Sequence, residues 1–414
     1  LEELKKKSGE EHIDLERAHE IEEEISHDLM AEVKTYAEQV EKGGGKIHLG
    51  ATSMDIEDNA DVLRIKRGLN IIKEKLLKCL EHYSELIEEH NDTPSMGWTH
   101  LQPAEPTTLG YRFANYAQDL VLDIKSLDNL LEDFVKGKGI KGAVGTSASY
   151  ERILDGKGNS SEMEEKVMEK IGLDYFPVST QTYPRKLEFH VLSTLASISQ
   201  SAYKFALDLR HLQSPPYGEL SEPQKEKQVG SSAMPFKKNP ILSERVCSLS
   251  RYASTLPQVA WENSSQTILE RTLDDSANRR VIIPESFLAI DEILNIYQKL
   301  LSGLEIYPKM VKKNLQKFGP FSGTEAILMK LVEKGESRQN MHEELRVLSQ
   351  EAWGEVMEGD ENPLPELLKQ HDVIGNNLED EEIDRLLTPE EHVGNVPEKC
   401  KDFLKSTVNP IISE

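Results

Sequence analysis

Apolar residues recur at three- and four-residue steps over long stretches of this chain, and that periodicity restricts its fold more than any other feature. From Ile65 the series runs through Leu69, Ile72, Leu76, Leu80, Tyr83 and Ile87, one face of a single long helix that Asp92-Thr93-Pro94 ends. A second stripe, Leu109, Phe113, Tyr116, Leu120, Ile124, Leu127, Leu131 and Phe134, runs up to a glycine-rich turn at 137–145. A third spans Leu187 to Leu212 with Val191, Leu195, Ile198, Ala202, Phe205 and Leu209 on one face, and a fourth covers Ile241 to Leu256. A fifth, from about Pro284 to Leu304, carries Ile290, Leu294, Tyr297 and Leu301. Helices of about 20–30 residues exceed the usual globular length of about 11–12. Five of them with short connections predict an all-α fold built on a long bundle, and strand-type alternation is scarce.

Breakers divide the chain into three expected parts. Residues 1–52 are charged, helix-prone and interrupted by Gly43-Gly44-Gly45; 53–306 hold the long-helix bundle; 307–414, opened by Pro308 and Gly319-Pro320, form a smaller C-terminal helical domain. A slender bundle has too thin a core to bury every apolar stripe alone. Its exposed stripes predict partner helices and hence a homo-oligomer.

Charge and cysteine usage narrow the function. A net charge of −24 argues against a general nucleic-acid or anionic-membrane surface, though not against a local basic pocket. Cys79, Cys247 and Cys400 are too few and too scattered for a disulfide framework, so a reducing cytosol is expected. No apolar run approaches the roughly 20 residues of a membrane span, and no signal peptide is visible. The sequons at Asn91, Asn159 and Asn263 read as chance in such a protein.

Five polar clusters interrupt the helical pattern: His27-Asp28, preceded by Ser26; Thr52-Ser53; Thr99-His100 with Gln102; the loop 229–240; and the run 270–280. Each alone has an ordinary explanation. His27 reads as a solvated helix residue, Thr52-Ser53 as a helix cap, and His100 as a histidine at a helix start. Arg271 and Arg280 read as surface partners of Asp274 and Asp275, worth little in stability. The loop is different. Asn239 stands where an N-cap is wanted and Pro240 at the first helical position, so free N–H groups would lie beside Lys237 and the loop hydroxyls. Such a helix end is a natural carboxylate site. His-Glu-x-x-His, Cys-x-x-Cys, Walker, Rossmann and Gly-x-Ser-x-Gly patterns are all missing, which leaves metal, nucleotide-loop and hydrolase-elbow chemistry without sequence support.

Gly230-Ser231-Ser232-Ala233-Met234-Pro235-Phe236-Lys237-Lys238-Asn239-Pro240 resembles the signature of the fumarase/aspartase superfamily, Gly-Ser-Ser-x-Met-Pro-x-Lys-x-Asn-Pro. Within it the chain looks like the adenylosuccinate lyase family, its eukaryotic-like branch especially. The similarity is carried by Ile47 to Ser53, Gln181-Thr182-Tyr183, Ser243-Glu244-Arg245, the run 270–280, Ser337-Arg338-Gln339 and His342-Glu343. The resemblance implies a homotetramer whose active sites draw on three subunits. It also implies a β-elimination releasing fumarate from adenylosuccinate (giving AMP) and from SAICAR (giving AICAR), with no metal or organic cofactor. By resemblance Ser231 is the base, His100 the acid, Glu244 the residue orienting its ring, and His27 a second active-site histidine. Ser26, Asp28, Thr52, Ser53, Thr99, Gln181, Lys237, Asn239, Arg245, Arg271, Ser276 and Arg280 match substrate-binding positions. The family's Arg-Tyr phosphate pair is expected ahead of Leu1. Argininosuccinate lyase, fumarase, aspartase and a non-catalytic protein of the same fold stay open as alternatives. The run from Arg271 to Arg280 argues against the other lyases, and the joint presence of His100, Ser231, Lys237 and Glu244 against the non-catalytic one.

Overall fold

A computed structural model describes residues 1–40, 42–224, 234 and 236–413, and these are dominantly helical. The five stripes become helices Ser53–His90, Leu109–Asn129, Lys186–Gln213, Ile241–Ala253 and Ser276–Ser302. Every residue of the first stripe, Ile65 to Ile87, is buried within the single chain. The stripes are therefore the chain's own core, which corrects the argument that a thin bundle leaves them for partners. A different set stays exposed, including Ile71, Leu122, Val281 and Leu288.

Two further differences have local causes. The fifth helix starts at Ser276, eight residues before the position its apolar period suggests, because its opening run through Arg280 is mostly polar and Pro284 sits inside it. Two short antiparallel pairs also form among the described residues, Pro94–Thr99 with Gln102–Thr108 and Leu220–Ser221 with Glu305–Ile306. Prolines at 94, 103 and 106 obscure the strand pattern of the first pair.

The described residues fall into two compact units. The first comprises Leu1–Ile72, Ser126–Ala196 and Ala253–Leu288. In it the helices Leu15–Ile25 and Asp28–Glu38 are capped by the side chains of Asp14 and His27. Asp55 is a buried hub: its carboxylate takes the amides of Lys141 (3.1 Å) and Gly142, the Tyr150 hydroxyl (3.1 Å) and the Lys138 ammonium. This ties the start of the Ser53–His90 helix to the turn 137–145. At Gly145, φ is +81° and a Cβ would collide with the Ser179 carbonyl, so only glycine fits there.

The second unit comprises Lys73–Lys125, Ser197–Tyr252 and Ala289–Glu414. Its bundle core is aromatic: Tyr83, Tyr116, Phe205 and Tyr297 pack with centroids 5.2–6.2 Å apart. The Tyr83 and Tyr297 hydroxyls satisfy one another at 2.8 Å, and that of Tyr116 donates to Asp208 at 2.7 Å. A separate cluster, centred on Ile327, Leu331, Leu345, Leu364 and Ile383, is the core of the C-terminal helices. All three cysteines are buried free thiols. No described helix is long and apolar enough to cross a membrane.

Candidate active site

In the first unit, polar residues from three places in the sequence converge. Arg280 reaches the Asp28 carboxylate at 3.4 Å across 252 residues, which brings Ser26-His27-Asp28 to the run 270–280. His27 is half-exposed; its Nδ1 accepts from the Met30 amide at 3.4 Å and so caps a helix while its ring edge faces outward. The Gln181 amide donates to the Glu270 carbonyl at 3.3 Å, adding the segment 181–183. Thr52 and Ser53 open the long helix, and the Asp55 carboxylate accepts from the Thr52 amide at 3.0 Å, one half of a capping box. Among the described residues, neither hydroxyl of that pair has a hydrogen-bond partner, so both remain available to a ligand.

Behind these groups lies a buried charge network that the sequence did not single out. Arg185 donates to Asp275 (2.7 Å) and Asp58 (3.0 Å). Arg279 donates to Glu188 (2.7 and 2.9 Å), the Tyr183 hydroxyl (2.7 Å) and Asp61 (3.0 Å). Burial pushes the Asp58 carboxyl above its ordinary value despite these arginines, and burial likewise lowers Arg271. The surface-pair reading of Arg271 and Arg280 needs correcting twice. Arg271 does meet Asp275 at 3.4 Å, but Asp275 is buried and shared with Arg185; Arg280 turns instead to Asp28. The network's signal was present in the sequence. Asp58 and Glu188 fall in phase with the apolar stripes at Ile65 and Val191, where a carboxylate must be paired to be buried.

In the second unit, His100 does not begin a helix. It stands exposed at the tip of the hairpin Pro94–Thr99/Gln102–Thr108, beside Thr99. His100 and Leu101 both have positive φ, 55° and 60°, the pattern of a two-residue primed turn, which ordinarily favours Asn or Gly. The strained pair is held from its flanks. The Tyr217 hydroxyl donates to the Leu101 carbonyl at 3.1 Å, Arg112 donates to the Met96 carbonyl at 2.7 Å, and Trp98 packs on Tyr217 and Phe318. Non-glycine residues stay in that conformation only where their surroundings hold them there.

Glu244 and Arg245 lie in the first turn of the Ile241–Ala253 helix and both are exposed. Within one chain, Glu244 approaches Arg210 at 3.9 Å and has no hydrogen bond to His100; Arg245 approaches Glu292 at 3.9 Å. Lys237 is exposed and Asn239 half-buried just ahead of that helix. Ser231 lies outside the described residues. The expected carboxylate site at this helix end is not free. Leu242 and Ser243 amides donate to the Glu222 carboxylate at 3.1 and 2.5 Å, while Ile241 and Glu244 amides donate to the carbonyls of Asn239 and Pro240. All four leading donors are taken. Among the described residues, no cluster of three or more His, Cys, Asp or Glu side chains could hold a metal ion.

The helical fold is one shared with crystallised lyases. A crystallised fumarate lyase from Mesorhizobium sp. BNC1 superposes with a TM-score of 0.80 at 23% identity, covering 97% of this chain and 86% of that one. The 3-carboxy-cis,cis-muconate lactonizing enzyme from Pseudomonas putida superposes equally well, also at 0.80 and 23%. A lyase family model matches residues 3–253, and a model described as adenylosuccinate lyase C-terminus matches 320–403. The adenylosuccinate lyase of Saccharomyces cerevisiae is 40% identical over 388 residues, 93% of this chain and 80% of its own length. That of Pyrococcus abyssi is 37% identical over 96% of this chain and 84% of its own length. The chain belongs to the adenylosuccinate lyase family.

Proposed function

We propose that this protein eliminates fumarate from adenylosuccinate, giving AMP, and from SAICAR, giving AICAR. The observation that carries the reading is His100, exposed on a turn of unfavourable backbone geometry that its neighbours clamp, in a chain of this family. Ser231 removes the proton from the carbon beside a succinyl carboxylate. His100 gives a proton to the departing nitrogen as the C–N bond breaks, a task suited to a group that titrates near neutrality. A serine is a weak base, and the helix end that could have supported its alkoxide is already filled by Glu222. The support therefore falls to Lys237, with Asn239 beside it.

His27, Arg271, Arg280 and Arg245, with Thr52, Ser53, Thr99, Gln181 and Ser276, bind the substrate's phosphate and carboxylates; arginine suits both through paired hydrogen bonds. Since Glu244 does not meet His100 within one chain, its orienting role is exercised between protomers of a homotetramer. Three buried thiols fit a reducing cytoplasmic setting. The division into 1–52, 53–306 and 307–414 is proposed on the same footing, supported by the separate core of the C-terminal helices.

The test is fumarate release from each substrate by wild type, Ser231→Ala and His100→Ala. Each variant is expected to lose about 10²–10⁴ in turnover, the usual scale for a general base or acid. Near-normal turnover in either refutes its assigned role.

A further inference from the structure

Glu222 and the start of the Ile241–Ala253 helix, both in the second unit, are fastened to each other. Glu222, on the outgoing side, is 3% exposed, and its two carboxylate oxygens take the amides of Leu242 and Ser243 on the returning side. Gln213, the last residue of the Lys186–Gln213 helix, bonds both sides at once. Its Oε1 accepts from the Glu222 amide at 3.0 Å, and its Nε2 donates to the Lys238 carbonyl at 3.0 Å. Five described residues thus make a closed ring of four hydrogen bonds, two of them assisted by a full charge on the acceptor. The leading amides of the helix do not need Glu222 in particular: a serine or aspartate at the N-cap would be the usual solution. A carboxylate recruited from 20 residues upstream instead does something a local cap cannot. It sets where Lys237, Asn239 and Glu244 stand relative to the Lys186–Gln213 helix.

We infer that Glu222 and Gln213 are positioning residues for the elimination, acting through Lys237, Asn239 and Glu244 and touching no substrate themselves. This rests on the roles given to those three residues above. Most of the residues given to the substrate's phosphate and carboxylates lie outside the clamped helix, Arg245 being the exception, so loss of the clamp is expected mainly in kcat and less in KM. Displacements of about 1 Å in such groups cost about 10²-fold in rate.

The experiment compares wild type with Glu222→Ala and Gln213→Leu in the full chain, following fumarate release with adenylosuccinate and checking folding by circular dichroism and melting. Glu222→Ala is expected to lower kcat about 10–100-fold with KM changed less than about threefold, on the scale of a misplaced catalytic group. Formate should partly restore it in a saturable way, because it can refill the space against the two stranded amides; chloride at equal ionic strength should not. Gln213→Leu, at a half-buried helix end, decides the matter if Glu222→Ala does not fold, and is expected to lose about tenfold in kcat. A kcat within twofold of wild type in a folded variant overturns the inference, as does a loss in Glu222→Ala that formate leaves untouched. If wild type itself releases no fumarate, the functional reading fails instead; if wild type is active and both variants match it, only the clamp is refuted.

Discussion

Arg279 carries more of the site's architecture than any residue chosen from sequence. Its guanidinium holds Glu188, Tyr183 and Asp61 together behind the run 270–280, and Glu188 has only cationic and hydroxyl neighbours to offset its burial. Arg279→Leu leaves the buried Glu188 with only the Tyr183 hydroxyl at 2.7 Å and Arg185 at 3.5 Å among the described residues, and is expected to destabilise the chain by about 3–5 kcal/mol, measured by denaturant unfolding. A cost below about 1 kcal/mol would show that the network is dispensable. Asp123 is the converse case, a carboxyl that burial raises to about 6 although the Ser197 and Ser201 hydroxyls favour its anion. Its folded value lies above its unfolded one, so its favourable contribution is complete at acid pH and is lost as pH rises through about 6. Asp123→Asn should therefore stabilise the protein by about 1–3 kcal/mol at pH 8 and by nothing near pH 4. Unfolding curves at the two pH values check this, and an equal effect at both would contradict it. Motifs named single residues, His100 and Arg271 among them, but said nothing of their surroundings. Burial was not legible: Asp275 reads as a surface partner until Arg185 is seen on its other side.

At the scale of elements, the long helices were readable because their stripes run for many turns and most stripe residues find the interior, Phe134 being an exception. The hairpin was not. Its strands carry prolines and its turn lacks glycine or asparagine, the two signals by which such a turn is recognised. The absence of those turn residues has a consequence that can be measured. Leu101 is exposed, and its φ of 60° suits glycine better than a branched side chain. Leu101→Gly should therefore be neutral or stabilising by up to about 1 kcal/mol, since the strain it relieves offsets the entropy it adds to the unfolded chain. A loss greater than about 1 kcal/mol would mean that the Leu101 side chain, not the backbone, secures the turn. The capped start of the Ile241–Ala253 helix was half legible. Asn239-Pro240 marked its place, but its first-turn donors go to Glu222, and no local rule connects positions 20 residues apart.

For the molecule as a whole, the question is what covers the apolar residues that the chain does not bury. Ile71, Leu122, Val281 and Leu288 are each at least half exposed on long helices. Together with the missing contact between His100 and Glu244 in one chain, they support the homotetramer proposed above. That arrangement makes a prediction no monomer could satisfy. Ser231→Ala and His100→Ala chains, each nearly inactive alone, are mixed in equal amounts and allowed to exchange subunits. If every site draws residue 231 and residue 100 from different protomers, random assembly gives about one site in four with both native residues, so activity should return to about a quarter of wild type. The exchange itself is verified with two tags and affinity capture of mixed oligomers. Verified mixed oligomers without recovered activity would place both residues in one protomer, and the exposed apolar faces would then need an explanation unconnected with the chemistry.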